Sequence, residues 1–185
     1  MTVILIGWFG TALYLINHGY ISVNKNWKKP IYYTGNAIAA SCLVLSSYYS
    51  DSWQAIVINC FWAFTSVLLL CGVDLSTLKI DKRIFHLIIA VMLLFFFGEV
   101  IVKQQLNLAL LGWISAFTYS GCYLLFSAEK MLPRNYLCWN AFASLIILPQ
   151  LWLDQNWPVV GMQICWAMIS IYGAARRQEE VHLVQ

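Results

Sequence analysis

The sequence predicts an all-α integral membrane protein of seven transmembrane helices, built as two parallel three-helix repeats joined by a linker helix (3+1+3). Three observations predict it. Hydrophobic residues make up 61% of the chain and charged residues only 10%, against roughly 45–50% and about 25% in soluble domains. The charges fall in short runs that leave long apolar stretches between them, each near the roughly 20 residues that cross a hydrocarbon core. The chain also says nearly the same thing twice. Gly7, Trp8 and Tyr14 recur as Gly112, Trp113 and Tyr119. Asn36, Ala37 and Ala39 recur as Asn140, Ala141 and Ala143, and Trp53, Trp62, Ala63 and Ser66 as Trp157, Trp166, Ala167 and Ser170. The offset is 105 in the first block and 104 afterwards, so one deletion reconciles the copies. Internal repeats in membrane proteins place a site where the copies meet.

Helix 1 is expected near 3–20. No Lys or Arg precedes Val3 and no small-residue cleavage site follows, so this stretch reads as a retained helix rather than a signal peptide. Helix 2, near 31–49, follows Pro30, and proline is harmless at a helix start. Helix 3, near 53–72, is joined to it by Ser50-Asp51-Ser52, a connection short enough to make the two antiparallel neighbours. Helix 4, near 84–102, matches neither copy. Three spans is an odd number, so a direct fusion would invert the second copy, and helix 4 restores its orientation. Helices 5, 6 and 7 are expected near 107–127, 135–153 and 157–175, with Pro133 opening helix 6 and Asp154-Gln155-Asn156 joining helices 6 and 7. The resulting segments are a first triple-helix repeat (1–73), a linker with helix 4 (74–106), a second repeat (107–176) and a cytoplasmic tail (177–185), with no separate soluble domain.

Loop charges orient the chain. One side holds Lys25, Lys28, Lys29, Lys79, Lys82, Arg83, Lys130, Arg134, Arg176 and Arg177, and the other holds Lys103 alone. The first side is therefore expected in the cytoplasm, with the N-terminus outside and the C-terminus inside, in a bacterial inner membrane. The net charge of +3 comes from these loop residues and gives no sign of nucleic-acid binding.

The repeated polar residues share helical faces. Asn59, Trp62, Ala63 and Ser66 stand at i, i+3, i+4 and i+7 of helix 3, and Gln163, Trp166, Ala167 and Ser170 stand likewise on helix 7. Asn36 lies above Ala39 and Ala40 on helix 2, and Asn140 above Ala143 and Ser144 on helix 6. A carboxamide facing hydrocarbon loses several kcal/mol of hydration, so these faces should point into the bundle. Two readings of them stand side by side. In one they pack helices, small residues allowing close approach and amides bonding across. In the other they line a substrate chamber whose binding residues are Asn59, Trp62, Gln163, Trp166, Asn36 and Asn140. Tryptophan in mid-helix points to the chamber, because tryptophan ordinarily sits at interfaces, as Trp27, Trp53 and Trp157 are expected to do.

Glu99, near the outer end of helix 4, is a candidate proton-coupling group or else an interfacial carboxylate. His18 and His86 read as interfacial. The six cysteines lie in apolar stretches with no CxxC pair and read as small hydrophobes, so no metal site and no cofactor are expected. An enzyme is not expected either: there is no HExxH, no paired acid and no nucleophile with a matched base.

The 3+1+3 layout, the outside N-terminus and the paired Asn and Trp residues resemble the SWEET and PQ-loop sugar-transporter architecture, and the layout is similar to that of bacterial nicotinamide riboside carriers of the PnuC type. One repeat, residues 4–72, resembles a short membrane domain found alone in uncharacterised bacterial proteins. The likeness implies a central pocket lined by Asn59, Trp62, Gln163 and Trp166, with Asn36 and Asn140 beside them. It departs at helices 1 and 5, which lack the prolines of SWEET-type repeats. The expected activity is facilitated transport of a small neutral or zwitterionic polar solute bound between the repeats. The alternative is a non-transporting membrane scaffold or accessory subunit. The expected partners are the lipid bilayer and the small-molecule solute, with homo-oligomerisation left open.

Overall fold

A computed structural model describes residues 2–24 and 26–182, with side chains described as far as Arg177. Lys25, counted above among the basic loop residues, and the end of the expected tail lie outside the described residues. Among the described residues the protein is all α, with seven long helices and no strand: α1 (Thr2–Val23), α2 (Lys29–Tyr49), α3 (Trp53–Leu70), α4 (Lys82–Lys103), α5 (Leu108–Ser127), α6 (Pro133–Leu153) and α7 (Trp157–His182). A single 3₁₀ turn (Leu75–Thr77) lies between α3 and α4.

Six of the helices are long and apolar enough to cross a membrane; α2 is the exception. Its length matches the others, but it carries Asn36, Ser41, Ser46 and Ser47, which lower its mean hydropathy. Three of those four polar residues are buried inside the protein, while Ile31, Ile38 and Leu45 leave α2 an exposed apolar stripe.

Local sequence explains most helix ends. Pro30 and Pro133 fall in the first turns of α2 and α6, where no N–H is needed. Asp81 caps α4 by accepting from the Arg83 amide at 2.8 Å, and Asn107 caps α5 through the Leu110 amide at 3.0 Å. The turns 50–52 and 154–156 reverse the chain in the same way. Asp51 and Gln155, one repeat apart, both adopt left-handed backbone, with φ of 49° and 53°. The one large boundary difference is at α7, expected to stop near residue 175 but continuing to His182. The apolar stretch ends there, yet Ala, Arg, Gln and Glu are strong helix formers and carry the helix onward. Arg177 fixes this extension by donating from Nη2 to the Ile21 carbonyl at 2.9 Å.

Helix α2 packs between α1 and α3, and α6 packs between α5 and α7. The two trios meet along two seams, α1 against α7 and α3 against α5, while α4 packs on α5. Equivalent residues of the two trios have equivalent surroundings. A Cβ at Gly7 would meet Ser46 of α2 and Pro158 of α7; one at Gly112 would meet Gln150 of α6 and Gln54 of α3. Pro158 and Gln54 are one repeat apart, as are Ser46 and Gln150. Each first helix therefore lies on the second helix of its own trio and the third helix of the other.

Candidate functional site

The faces singled out above turn inward. Asn36, Asn59, Trp62, Asn140, Gln163 and Trp166 are all buried, none more than 3% exposed. Of the three tryptophans expected at interfaces, Trp53 and Trp157 are exposed at 56% and 45%, whereas Trp27 is half-buried against Tyr32 and Phe126.

Aromatic rings gather where the seams converge. Trp62 and Trp166 approach edge to face with centroids 5.5 Å apart. Tyr14 stands perpendicular to both, at 5.7 and 5.5 Å. Each tryptophan is also stacked by a residue of the opposite trio. Trp62 lies on Tyr123 of α5 at 4.3 Å, and Trp166 lies on His18 of α1 at 3.8 Å. His18 and Tyr123 are one repeat apart. Their polar atoms also reach equivalent serines: Tyr123 Oη meets Ser66 Oγ at 2.8 Å, and His18 Nε2 meets Ser170 Oγ at 2.8 Å. His18 is fully buried, which corrects its expected interfacial placement: it lies four residues beyond Tyr14, on the same face of α1 turned toward α7.

The amides extend this cluster on both sides. Asn17 donates to Asn36 Oδ1 at 2.7 Å, and Asn36 Nδ2 donates to Tyr123 Oη at 3.0 Å. Ser66 Oγ donates to the Trp62 carbonyl at 2.7 Å, so the Tyr123 hydroxyl donates to Ser66. A chain of donors thus runs from α1 through α2 and α5 to α3. In the other trio Asn140 Oδ1 accepts from Trp166 Nε1 at 2.9 Å, and Asn140 Nδ2 donates to the Tyr136 carbonyl at 2.7 Å. Tyr119 donates to Gln163 Oε1 at 2.5 Å and receives Ser144 Oγ.

Here the two copies differ. Asn36 Oδ1 is taken by Asn17, whose counterpart is Cys122, and Trp62 Nε1 has no hydrogen-bond partner. Ala40 stands where the other copy has Ser144, and the Tyr14 hydroxyl likewise has no partner. Both orphaned groups belong to residues lining a small cavity between the trios, together with Asn59, Gln163, Trp166 and Tyr119. Asn36 and Asn140 do not line it; each supports a residue that touches a tryptophan or is one. The cavity holds only about 10 Å³, about enough for one water and far below the roughly 300–1,000 Å³ of small-molecule sites.

Both ends of this region are closed. At one end Ser52 Oγ donates to Asp154 Oδ2 at 2.6 Å, and Asn156 Nδ2 donates to Ser47 Oγ at 3.1 Å. At the lysine-rich end the Tyr32 and Tyr136 hydroxyls meet at 3.1 Å, and Lys29 pairs with Glu129. Glu99 is not brought into the cluster. It lies on α4, paired with Lys103 and accepting from Asn107 Nδ2 at 2.8 Å.

His18, Tyr123, Asn17 and Tyr14 complete a site in which the sequence singled out only the carboxamides and tryptophans. The signal for His18 was available: the 105-residue offset places it opposite Tyr123. That equivalence makes an expected result. His18→Tyr should keep the stack on Trp166 and a bond to Ser170, at an overpacking cost of about 1–3 kcal/mol. His18→Ala should cost more, and thermal unfolding of the purified variants in detergent ranks the two.

One protein family, itself uncharacterised, matches the chain in two segments, residues 3–73 and 108–180, and the chain belongs to that family. The two matched segments bracket the two trios and leave out α4. No curated protein matches the sequence, and no solved structure matches it.

Proposed function

We propose that this protein is a carrier for a small neutral or zwitterionic polar solute. Two three-helix repeats lie the same way up in a bacterial inner membrane, with the N-terminus outside, the C-terminus in the cytoplasm and α4 as the linker span. This is the 3+1+3 plan that the SWEET and PQ-loop likeness implies. One observation carries the reading: polar groups without partners, Tyr14 Oη and Trp62 Nε1, are buried on residues that line a small cavity on the seam between the two trios. A packing interface gains nothing from such orphans, because each buried unsatisfied group costs about 1–3 kcal/mol. A solute supplying a donor and an acceptor would remove that cost. Every side chain lining the cavity is uncharged, which suits a neutral or zwitterionic solute.

In this reading, rocking of one trio against the other widens the cavity and opens one end while the other stays shut. Uptake into proteoliposomes tests it, after a thermal-shift screen of sugars, nucleosides, vitamins and amino acids selects the solute. Asn59→Ala and Gln163→Ala should each lower uptake roughly 10–100-fold, the loss of one buried polar contact, with the fold intact by circular dichroism. Undiminished uptake would remove the site.

The size of the cavity favours a second reading, a non-transporting scaffold whose inner faces only pack. A protein that binds no solute in the screen, and whose two ends never open, would belong to that class.

A further inference from the structure

We propose a second binding site, for an anionic phospholipid, in the groove between α3, α4 and α5. This groove has a volume of about 680 Å³ and an almost wholly apolar wall. Along α5 it runs from Trp113 to Leu125, a span of roughly 18 Å at about 1.5 Å per residue. One leaflet of a hydrocarbon core, half of about 30 Å, is close to the same depth. The groove exists because α4 packs on α5 and leaves its flank toward α3 uncovered. Phe85 closes the α5 side, its ring lying where a side chain at Gly121 would have to go.

The occupant is set by what stands at the mouth. The groove opens at Lys79 and Asp81, and these two residues also line an open cup completed by Lys82 and Lys130. None of the three lysines makes an ion pair among the described residues. Asp81 is the one acid in the cup, and its Oδ1 accepts from the Arg83 amide at the start of α4. The cup therefore carries a net positive charge at the end of an acyl-sized groove, and that combination fits a phosphate headgroup joined to a fatty chain. Basic residues beside the cytoplasmic leaflet recognise anionic lipids in this way. Partway along the groove wall the Ser120 hydroxyl is buried without a partner, a position from which it can donate to an ester carbonyl of a seated lipid. The inference is independent of whether the seam between the trios carries a solute.

Native mass spectrometry of the delipidated protein in neutral detergent tests it. Phosphatidylglycerol and phosphatidylcholine with identical acyl chains are titrated separately, with sn-glycerol 3-phosphate as a headgroup without chains. The expected result is tenfold or greater preference for phosphatidylglycerol over phosphatidylcholine, about what two or three lysines near an anionic headgroup provide, and no adduct with glycerol 3-phosphate. The triple variant Lys79→Gln, Lys82→Gln, Lys130→Gln should bring the two lipids to within about twofold. Val57→Trp or Ile88→Trp, at half-exposed positions on the groove wall, should reduce phosphatidylglycerol retention with the lysines in place. Equal retention of both lipids by the unaltered protein would overturn the proposal. So would a preference that survives the triple variant, or retention indifferent to both groove-filling substitutions.

Discussion

Trp166→Ala should be the most damaging single truncation in the core, costing about 3–5 kcal/mol, as the loss of a large buried aromatic does. The ring stacks on His18, meets Tyr14 and Trp62 edge to face, and donates through Nε1 to Asn140. The conservative variants separate packing from hydrogen bonding. Trp166→Phe keeps an aromatic ring but leaves Asn140 Oδ1 without its donor, adding about 1–3 kcal/mol. Trp62→Phe removes an N–H that has no partner, so its cost is packing alone. Thermal or denaturant unfolding in detergent should therefore place Trp62→Phe clearly above Trp166→Phe. Uptake should fall in both, because in the proposed carrier the free Trp62 N–H is held for solute. Equal stability of the two Phe variants would mean that the asymmetry between the copies has no energetic content.

The second large effect is expected where the two reversing turns meet. Ser52→Ala combined with Asn156→Ala removes the bonds to Asp154 and Ser47. One of these is to a carboxylate, so together they are worth about 2–4 kcal/mol. In the proposed carrier a shift of that size changes the ratio of open to closed forms by roughly 30–1,000-fold. Ala55, in the first turn of α3 and 1% exposed, reports on it. In a background lacking the native cysteines, Ala55→Cys should react with a membrane-impermeant thiol reagent at least about tenfold faster when the latch is removed. Tyr32→Phe, at the opposite end, should not speed that reaction, since it loosens the other closure.

Much of the fold was legible because the bilayer simplifies the reading. An apolar stretch of fixed length bounded by charges is a strong signal, and the helices fell within a few residues of the expected ranges. The overrun of α7 was not legible from hydropathy, because leaving the membrane and leaving the helix are different events. The inward faces were legible too, since a carboxamide at Asn59 or Asn140 has nowhere else to go. Repetition reveals which residues are equivalent, but not which ones touch. That His18 of one copy stacks on Trp166 of the other follows from how the trios interleave, and its position near the end of an apolar stretch suggested the interface instead. The cavity size was beyond the sequence for another reason. Whether four rings leave room for one water or for a sugar depends on shifts of an ångström in helix positions, which composition does not encode.

Distances between spin labels at the two ends of the protein, in lipid nanodiscs, test the central claim most directly. Trp53 and Trp157 are equivalent exposed positions beside the Ser52–Asp154 closure, and Lys28 and Leu132 are equivalent exposed positions at the lysine-rich end. Two like-oriented repeats that rock about a shared aromatic seam predict a longer distance for one pair while the other stays short, with the latch variants favouring opening at Trp53 and Trp157. A single unchanging distance for both pairs, in the unaltered protein and in the latch variants alike, would contradict it.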